Sequence, residues 1–414
     1  MSKRAHGEGS IDTRGADVHR LRYRVNGKRF AKTVHGTLTE ARKQLRALIR
    51  SGDTGQHVAP DKLTVADWIE RWIALLERQA ADNGEIEEEV ITETRRRKRG
   101  LVNGSTLERY AELLRLHVVP TLGARPLQQL QATEIDDLYI DLEDELSPRT
   151  VHHVHTVLGA CLDVAVRKGS LATNPVRRAE APSPGESGGG TVLEEEQLRE
   201  LLRVFRDQAL FPFVAVASFT GARRGEVLGL QWPDLDVANK TLRIERAVED
   251  TKKWGLRLKE PKRERHKRTI TIDDDLIALL CREREKYLRL IAGVAEDVPV
   301  DLTLVRLPAG ALMFPRPPAH DIPFDLTAPR RPRNVTQEFT RKASALGFTG
   351  LQIKDLRCTH ETLLLDAGVP VHVVAARCGH DPAVLLRIYA KRTRKADTTA
   401  AAAIGALAKG VLRG

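Results

Sequence analysis

"SFTGARRGEVLGLQWPDLD", residues 218–236, sets two adjacent arginines, Arg223 and Arg224, between a Thr-Gly turn and the apolar positions of a short helix. A guanidinium at the mouth of a core helix is costly to desolvate unless a partner waits there. Two partners are open. One is internal: Arg224 pairs with a nearby carboxylate such as Glu226, and both face water. The other is external, with at least one arginine held ready for an anion brought from outside.

The chain as a whole leans toward an anion. Lys and Arg number 67 against 56 acidic residues, a formal net charge of +11 over 414 residues. That excess favours a polyanion, although charge alone does not separate nucleic acid from an acidic membrane surface. No run of 18 apolar residues occurs, and the opening "MSKRAHGEGS" lacks the apolar centre of a signal peptide. A soluble, cytoplasmic protein with no membrane partner is expected. The four cysteines, at 161, 281, 358 and 378, are too sparse for a disulfide framework and suit a reducing compartment. The length calls for two or three domains.

Composition divides the chain. Residues 1–58 read as a small module: in "VHRLRYRVNGKRFAKTV" Leu21, Tyr23 and Val25 alternate with Arg20, Arg22 and Arg24, the period of a half-buried strand. Asn26-Gly27 is a hairpin turn signal, and a helix follows around "TLTEARKQLRALIR". The three arginines share one face, which is either a solvated surface or a nucleic-acid-facing one. Residues 63–176 read as about four helices. The acidic "EIEEEV" and basic "RRRKR" between Glu85 and Arg99 form an insertion. Ser105 with Glu108 makes a capping box, Thr133 starts another helix, and Ser147-Pro148 opens a third. That third helix buries Val151, Val154, Leu158 and Leu162 and leaves Arg149, His152 and His153 on a wetter face. "RRAEAPSPGESGGG", 177–190, is a linker by composition. The remainder, 191–414, is mixed and mainly helical. "TLRIERAVED", "GLRLKE" and "RTITI" are three short strands of a small antiparallel sheet, and 296–333 is a long Pro-rich loop.

Metal chemistry finds little footing. Cys358-x-His360 and Cys378-x-His380 have one intervening residue where zinc pairs use two to four. On a helix, Cys358 and His360 diverge by about 200°. "HETLL" is not HExxH, since Leu364 stands where the second histidine must be. Phosphate fits better. Arg223, Lys262, Arg357, His380 and Tyr389 combine cationic donors with one hydroxyl nucleophile and include no acidic pair suited to Mg²⁺.

"TGARRGEVLGLQWPDLD", then "KEPKRERHKRTITI", then "IKDLRCTHETLLLDAGVPVHVVAARCGHDPAVLLRIYAK" resemble, in order and spacing, the successive motifs of the tyrosine recombinases, the phage-integrase family. The likeness runs through most of 191–391. It implies an arm-binding domain at 1–58, a helical core-binding domain at 63–176 and a catalytic domain at 191–414. By the resemblance, Arg223 is the first catalytic arginine and Arg224 only its neighbour. Glu226 supports that arginine, and Lys262 is the hairpin lysine, with Lys259 as the other register. Arg357 is the second arginine, His380 the last histidine and Tyr389 the nucleophile. Where the family carries His-x-x-Arg, this chain has Lys354-Asp355-Leu356-Arg357. A lysine donates to a phosphate oxygen but is a poor general base near neutral pH unless its pKa falls.

The implied activity is cutting and rejoining DNA through a covalent phosphotyrosine, with no metal, ATP or other cofactor. The alternative is a DNA-binding protein on the same fold with impaired catalysis. The implied partners are double-stranded attachment sites bound through Arg20, Arg22, Arg24 and Arg149, a homotetramer on DNA, and accessory bending or directionality proteins. The tail "TTAAAAIGALAKGVL", 398–412, reads as a short apolar helix, marginal by itself, and the resemblance implies that it is exchanged between protomers.

Overall fold

The computed structural model describes residues 9–25, 27–53, 61–81, 104–185, 190–252, 254–260, 266–318 and 324–389. Asn26, the insertion between Glu85 and Arg99, Lys262 and the tail at 398–412 lie outside the described residues. The chain separates into two compact units, residues 1–187 and 188–414.

The first unit opens with three antiparallel strands in sequential order, β1 (Ser10–Gly15), β2 (Val18–Val25) and β3 (Lys28–His35), followed by helix α1 (Leu38–Asp53). Alternation in β2 does what its period predicts: Leu21 and Tyr23 are buried, while Arg22 and Arg24 are exposed and Arg20 is half-buried. Leu21, Tyr23 and Val34 pack with Ala41 and Leu45 of α1. Thr37 caps α1: its backbone N–H donates to Glu40 Oε2 at 2.8 Å, and its hydroxyl accepts from the Glu40 N–H at 3.3 Å. Across β1 and β2, Arg22 pairs with Asp12 at 2.8 Å.

Among the described residues, five α-helices follow: α2 (Val65–Ala81), α3 (Gly104–His117), the single turn α4 (Val119–Leu122), α5 (Ala132–Glu145) and α6 (Pro148–Arg167). Proline occupies the first position of α6 with Ser147 before it, where a missing N–H costs nothing. Val151, Val154, Leu158 and Leu162 are fully buried, and Arg149 is exposed. The Trp68 indole of α2 donates to Cys161 O of α6 at 3.1 Å, so the largest core side chain satisfies its one polar atom. Two helix starts differ from the sequence reading. α3 already runs at Gly104, so Ser105 lies inside the first turn and does not cap it. α5 begins at Ala132 because Glu134 reaches back to the Gln131 N–H at 3.0 Å, which takes the capping role from Thr133.

In the second unit, α7 (Glu195–Phe205) and α8 (Phe211–Thr220) lead to the short α9 (Arg224–Leu228). Strands β4 (Leu235–Asp236), β5 (Thr241–Ile244), β6 (Ala247–Thr251), β7 (Gly255–Lys259) and β8 (Arg268–Thr271) follow. They form two sheets, not one: β4-β5-β8, and the separate β6-β7 hairpin. "TLRIERAVED" breaks at Glu245-Arg246, where Arg246 turns to bind Asp234 and the backbone runs against Gly229. A Cβ on Gly229 would lie 3.1 Å from Arg246 O, so glycine permits that approach. Helices α10 (Asp274–Ala292), α11 (Pro332–Ala345), α12 (Ile353–Asp366), α13 (Val371–Cys378) and α14 (Pro382–Tyr389) follow among the described residues. The apolar α8 lies in the centre of a core that includes Phe205, Trp232, Leu280 and Phe339.

Candidate active site

Two glycine turns set the site. Gly221 ends α8 and Gly379 ends α13, each with left-handed φ, +61° and +65°. A side chain at Gly221 would also collide, since a Cβ would stand 2.6 Å from His360 Cδ2 and 2.9 Å from Cys378 Sγ. The two turns aim main-chain carbonyls at the arginines. Arg357, on α12, donates from Nη1 to Gly221 O at 2.7 Å and from Nη2 to Cys378 O at 2.6 Å. Arg223 donates from Nη2 to Gly379 O at 3.0 Å and from Nη1 to Glu226 at 2.8 Å. Arg223 and Arg357, 134 positions apart in sequence, thus converge on consecutive carbonyls of one turn.

His380 follows that turn. Its Nε2 lies 3.3 Å from Arg357 Nε, aligned as a hydrogen bond, and 2.9 Å from Glu361 Oε1. Glu361 Oε1 is also 2.9 Å from Arg357 Nε, yet it meets hydrogen-bond geometry with neither, so Arg357 and Glu361 are a charge pair by proximity. The carboxylate partner of Arg357 on α12 is Glu361, while Asp355 accepts the Gln352 N–H at 2.9 Å. Burial raises the Glu361 pKa, but His380 and the Arg357 charge outweigh it and hold the group below the usual carboxylate range. A guanidinium has five N–H donors. Arg357 spends three on described partners and Arg223 two, which leaves both with donors for an anion.

Glu226 is the hub beneath Arg223. It accepts the Arg223 backbone N–H at 2.9 Å and faces Arg268 Nη2 at 2.9 Å, with both side chains buried. Burial opposes ionisation of Glu226, and Arg268 and Arg223 override it to hold the pKa at about 2. Arg268 also donates to Arg377 O at 2.7 Å and to His266 O at 3.0 Å, tying β8 to the same turn. Sequence reasoning missed Arg268 and Arg377. Nothing in the alternation of β8 marks Arg268 as buried, and the decisive partners are distant, Glu226 lying 42 positions from Arg268 and Phe219 158 positions from Arg377.

The internal partner imagined for Arg224 is not Glu226. Arg224 instead reaches Thr336 Oγ1. Lys354 is exposed one turn before Arg357, and both line a pocket of about 380 Å³ together with Arg223 and Arg224. Lys259, the second register for the hairpin lysine, binds Glu249 at 2.5 Å. Tyr389 ends α14, which starts two residues after His380, with Asp381 accepting the Ala383 N–H at 3.1 Å. Among the described residues no group of three His, Cys, Asp or Glu could hold a metal ion. His360 serves the fold, with Nδ1 bonded to Ser218 O at 2.9 Å and Nε2 accepting from Arg377 Nε at 3.3 Å.

Burial and the nearby Arg377 charge push the His360 pKa down to about 4, from 6.5. The unfolded chain therefore binds a proton there first. No penalty exists above pH 6.5, and stability falls as pH drops from 6.5 toward 4. The Glu226 contribution is intact above 4.5 and is lost as pH falls further toward 2. Thermal melts at pH 7.5, 6 and 5 should show falling midpoints. His153 and His155 shift the same way, so the comparison is with His360→Gln, whose dependence over that window should be shallower. Equal pH slopes for the two proteins would clear His360 of the effect.

Comparisons with known proteins agree on one family. The phage integrase family model matches residues 191–395, and the phage integrase central domain model matches 84–181. An integrase of Streptomyces ambofaciens is 24% identical over 98% of both chains. A XerC-like tyrosine recombinase of Caldanaerobacter subterraneus is 26% identical, covering 61% of this chain and 65% of its own. Among solved structures, the Tn1549 transposon integrase in complex with transposon right end DNA superposes with TM-score 0.57 at 17% identity, over 77% of this chain and 94% of that one. A lambda integrase dimer bound to a core site superposes with TM-score 0.55 at 16% identity, over 95% and 98%. Lambda integrase is also known as a tetramer bound to a Holliday junction. Among the described residues no helix is long and apolar enough to cross a membrane. The chain belongs to the phage integrase family of tyrosine recombinases and is a site-specific recombinase.

Proposed function

We propose that this recombinase cuts and rejoins double-stranded attachment sites through a covalent phosphotyrosine at Tyr389, without metal, ATP or another cofactor. The observation that carries it is the convergence of Arg223 and Arg357 on the carbonyls of Cys378 and Gly379, with His380 beside them. In-line displacement at a phosphodiester gathers charge on the non-bridging oxygens, and two preorganised guanidinium groups stabilise that charge where it develops. The Tyr389 oxygen forms the new P–O bond as the bond to the deoxyribose oxygen breaks, and the phenol passes its proton to solvent. Lys262 protonates the leaving oxygen, and Lys354 adds a phosphate donor where the family has histidine. The energy of the broken ester stays in the phosphotyrosine, so rejoining is the same exchange run backward.

Residues 1–58 act as an arm-binding domain, 63–176 as the core-binding domain, 177–190 as a linker and 191–414 as the catalytic domain. Assembly is a homotetramer on paired sites, with accessory bending or directionality proteins setting the outcome. Arg149, exposed at the start of α6, is a DNA contact of the core-binding domain.

The test is a nicked suicide duplex carrying a site that the full chain itself selects from a random DNA pool. A covalent protein–DNA band that survives denaturation is expected. Binding without any such band would leave a DNA-binding protein with impaired catalysis. The arm face has its own check. Replacing Arg20, Arg22 and Arg24 together by Ala should weaken binding to a distal site and reduce the slope of log affinity against log salt by about 3 at most. Arg22 is partly spent on Asp12, so a drop nearer 2 is in keeping. An unchanged slope would make that face ordinary solvated surface.

A further inference from the structure

Arg223 answers only half of the question raised by the paired arginines. We infer that Arg224 seats a second backbone phosphate of the same DNA strand, next to the scissile one. This rests on the recombinase reading above.

The pocket of about 380 Å³ is lined by four cationic side chains, Arg223, Arg224, Lys354 and Arg357, with Thr336 and Gln352 among the neutral ones and no carboxylate. The two pairs differ in how they are balanced. Arg357 has Glu361, and Arg223 has Glu226, each at ion-pair distance. Arg224 and Lys354 have no ion pair among the described residues, and Arg224 is held only by the neutral hydroxyl of Thr336. That hydroxyl donates in turn to Pro332 O at 3.2 Å, which fixes it as an acceptor facing the guanidinium. Like charges crowded around one cavity are unfavourable until an anion enters, and Arg223 and Arg357 bond the Cys378-Gly379 turn while Arg224 bonds Thr336. One diester carries one formal negative charge and occupies the balanced arginines. Lys354 joins them there, and Arg224, bonded only to the Thr336 hydroxyl among the described residues, matches the next phosphate along the backbone. Arg224 directly follows Arg223 in sequence, so the two seats are bound to a fixed spacing, which would align the scissile phosphorus for attack.

The experiment uses the full chain and the selected duplex. Arg224→Gln is compared with the wild type on DNA bearing one uncharged methylphosphonate, placed in turn at each phosphate flanking the scissile position. A charge-assisted hydrogen bond predicts that Arg224→Gln slows adduct formation by roughly 10- to 100-fold. At one flanking position the methylphosphonate should slow the wild type similarly and slow Arg224→Gln no further. Losses that multiply at every position would overturn the seat. Arg224→Lys, which keeps the charge, should recover part of the rate, and matched melting curves would exclude a folding cause. The salt slope of binding is read on the same duplex and should fall by about 1 in Arg224→Gln. If the wild type forms no adduct, the recombinase reading fails while the slope still decides the seat: an unchanged slope overturns it.

Discussion

Tyr389→Phe is expected to abolish the covalent DNA adduct while leaving DNA affinity within about twofold of wild type, the range of an ordinary surface change. Elimination supports the choice of nucleophile. The chain has five tyrosines, and the other four are committed elsewhere. Tyr23 is buried under the N-terminal sheet, and Tyr110 stacks on Trp72 with ring centroids 6.0 Å apart. Tyr139 is bonded through its hydroxyl to His155 at 3.0 Å. Tyr287 packs against Trp232, and burial pushes its pKa up to about 12, which opposes the phenolate a nucleophile must become. Tyr389 alone stands on a helix that leaves the Cys378-Gly379-His380 turn. That helix is anchored by Leu385 packing with Val374 and Ala375 of α13, so losing one oxygen at its end should not disturb it. Denaturing gels after incubation with the suicide duplex read the result, and an undiminished adduct in the Phe variant would move the nucleophile to another side chain.

Much of this site was legible because its logic is local or punctuated by glycine. Thr-Gly before Arg223 and Cys-Gly before His380 are positions where the backbone turns left-handed, and both turns are present with positive φ. The family resemblance named Glu226 as the support of Arg223, and the three-residue step between them lets the pair meet. The alternation of β2 and the proline opening α6 likewise carried their own geometry. What stayed hidden depends on distant backbone. Arg268 reads as one more charge in a basic hairpin, and only the folded chain brings it to Glu226 and the Arg377 carbonyl. The division of the strands into two sheets was hidden for the same reason. It follows from Arg246 meeting Asp234 and from the close pass at Gly229, neither of which leaves a periodic trace.

Arg357→Ala is expected to lose both cleavage and stability, and the two losses can be separated. For cleavage, removing one preorganised donor to a developing oxyanion costs about 3–4 kcal/mol, a rate loss of 10²- to 10³-fold. For stability, Arg357 is nearly buried, joins the Gly221 and Cys378 carbonyls, and balances the buried Glu361. Truncation leaves that carboxylate short of its cation, a defect that typically costs 3–5 kcal/mol in buried pairs. His380, 2.9 Å from the same oxygen, remains as a polar neighbour of the carboxylate, so the lower end of the range is expected. Arg357→Lys divides the effects. Lysine keeps a positive charge near Glu361, so most of the stability should return. It cannot span two carbonyls and a phosphate with a planar fork, so cleavage should stay at least tenfold below wild type. Chemical denaturation gives the first quantity, and single-turnover adduct formation, run where each variant is fully folded, gives the second. A lysine variant that cleaves at the wild-type rate would show that charge suffices at this position. The two carbonyls of the glycine turns would then be supports for the fold and not for the transition state.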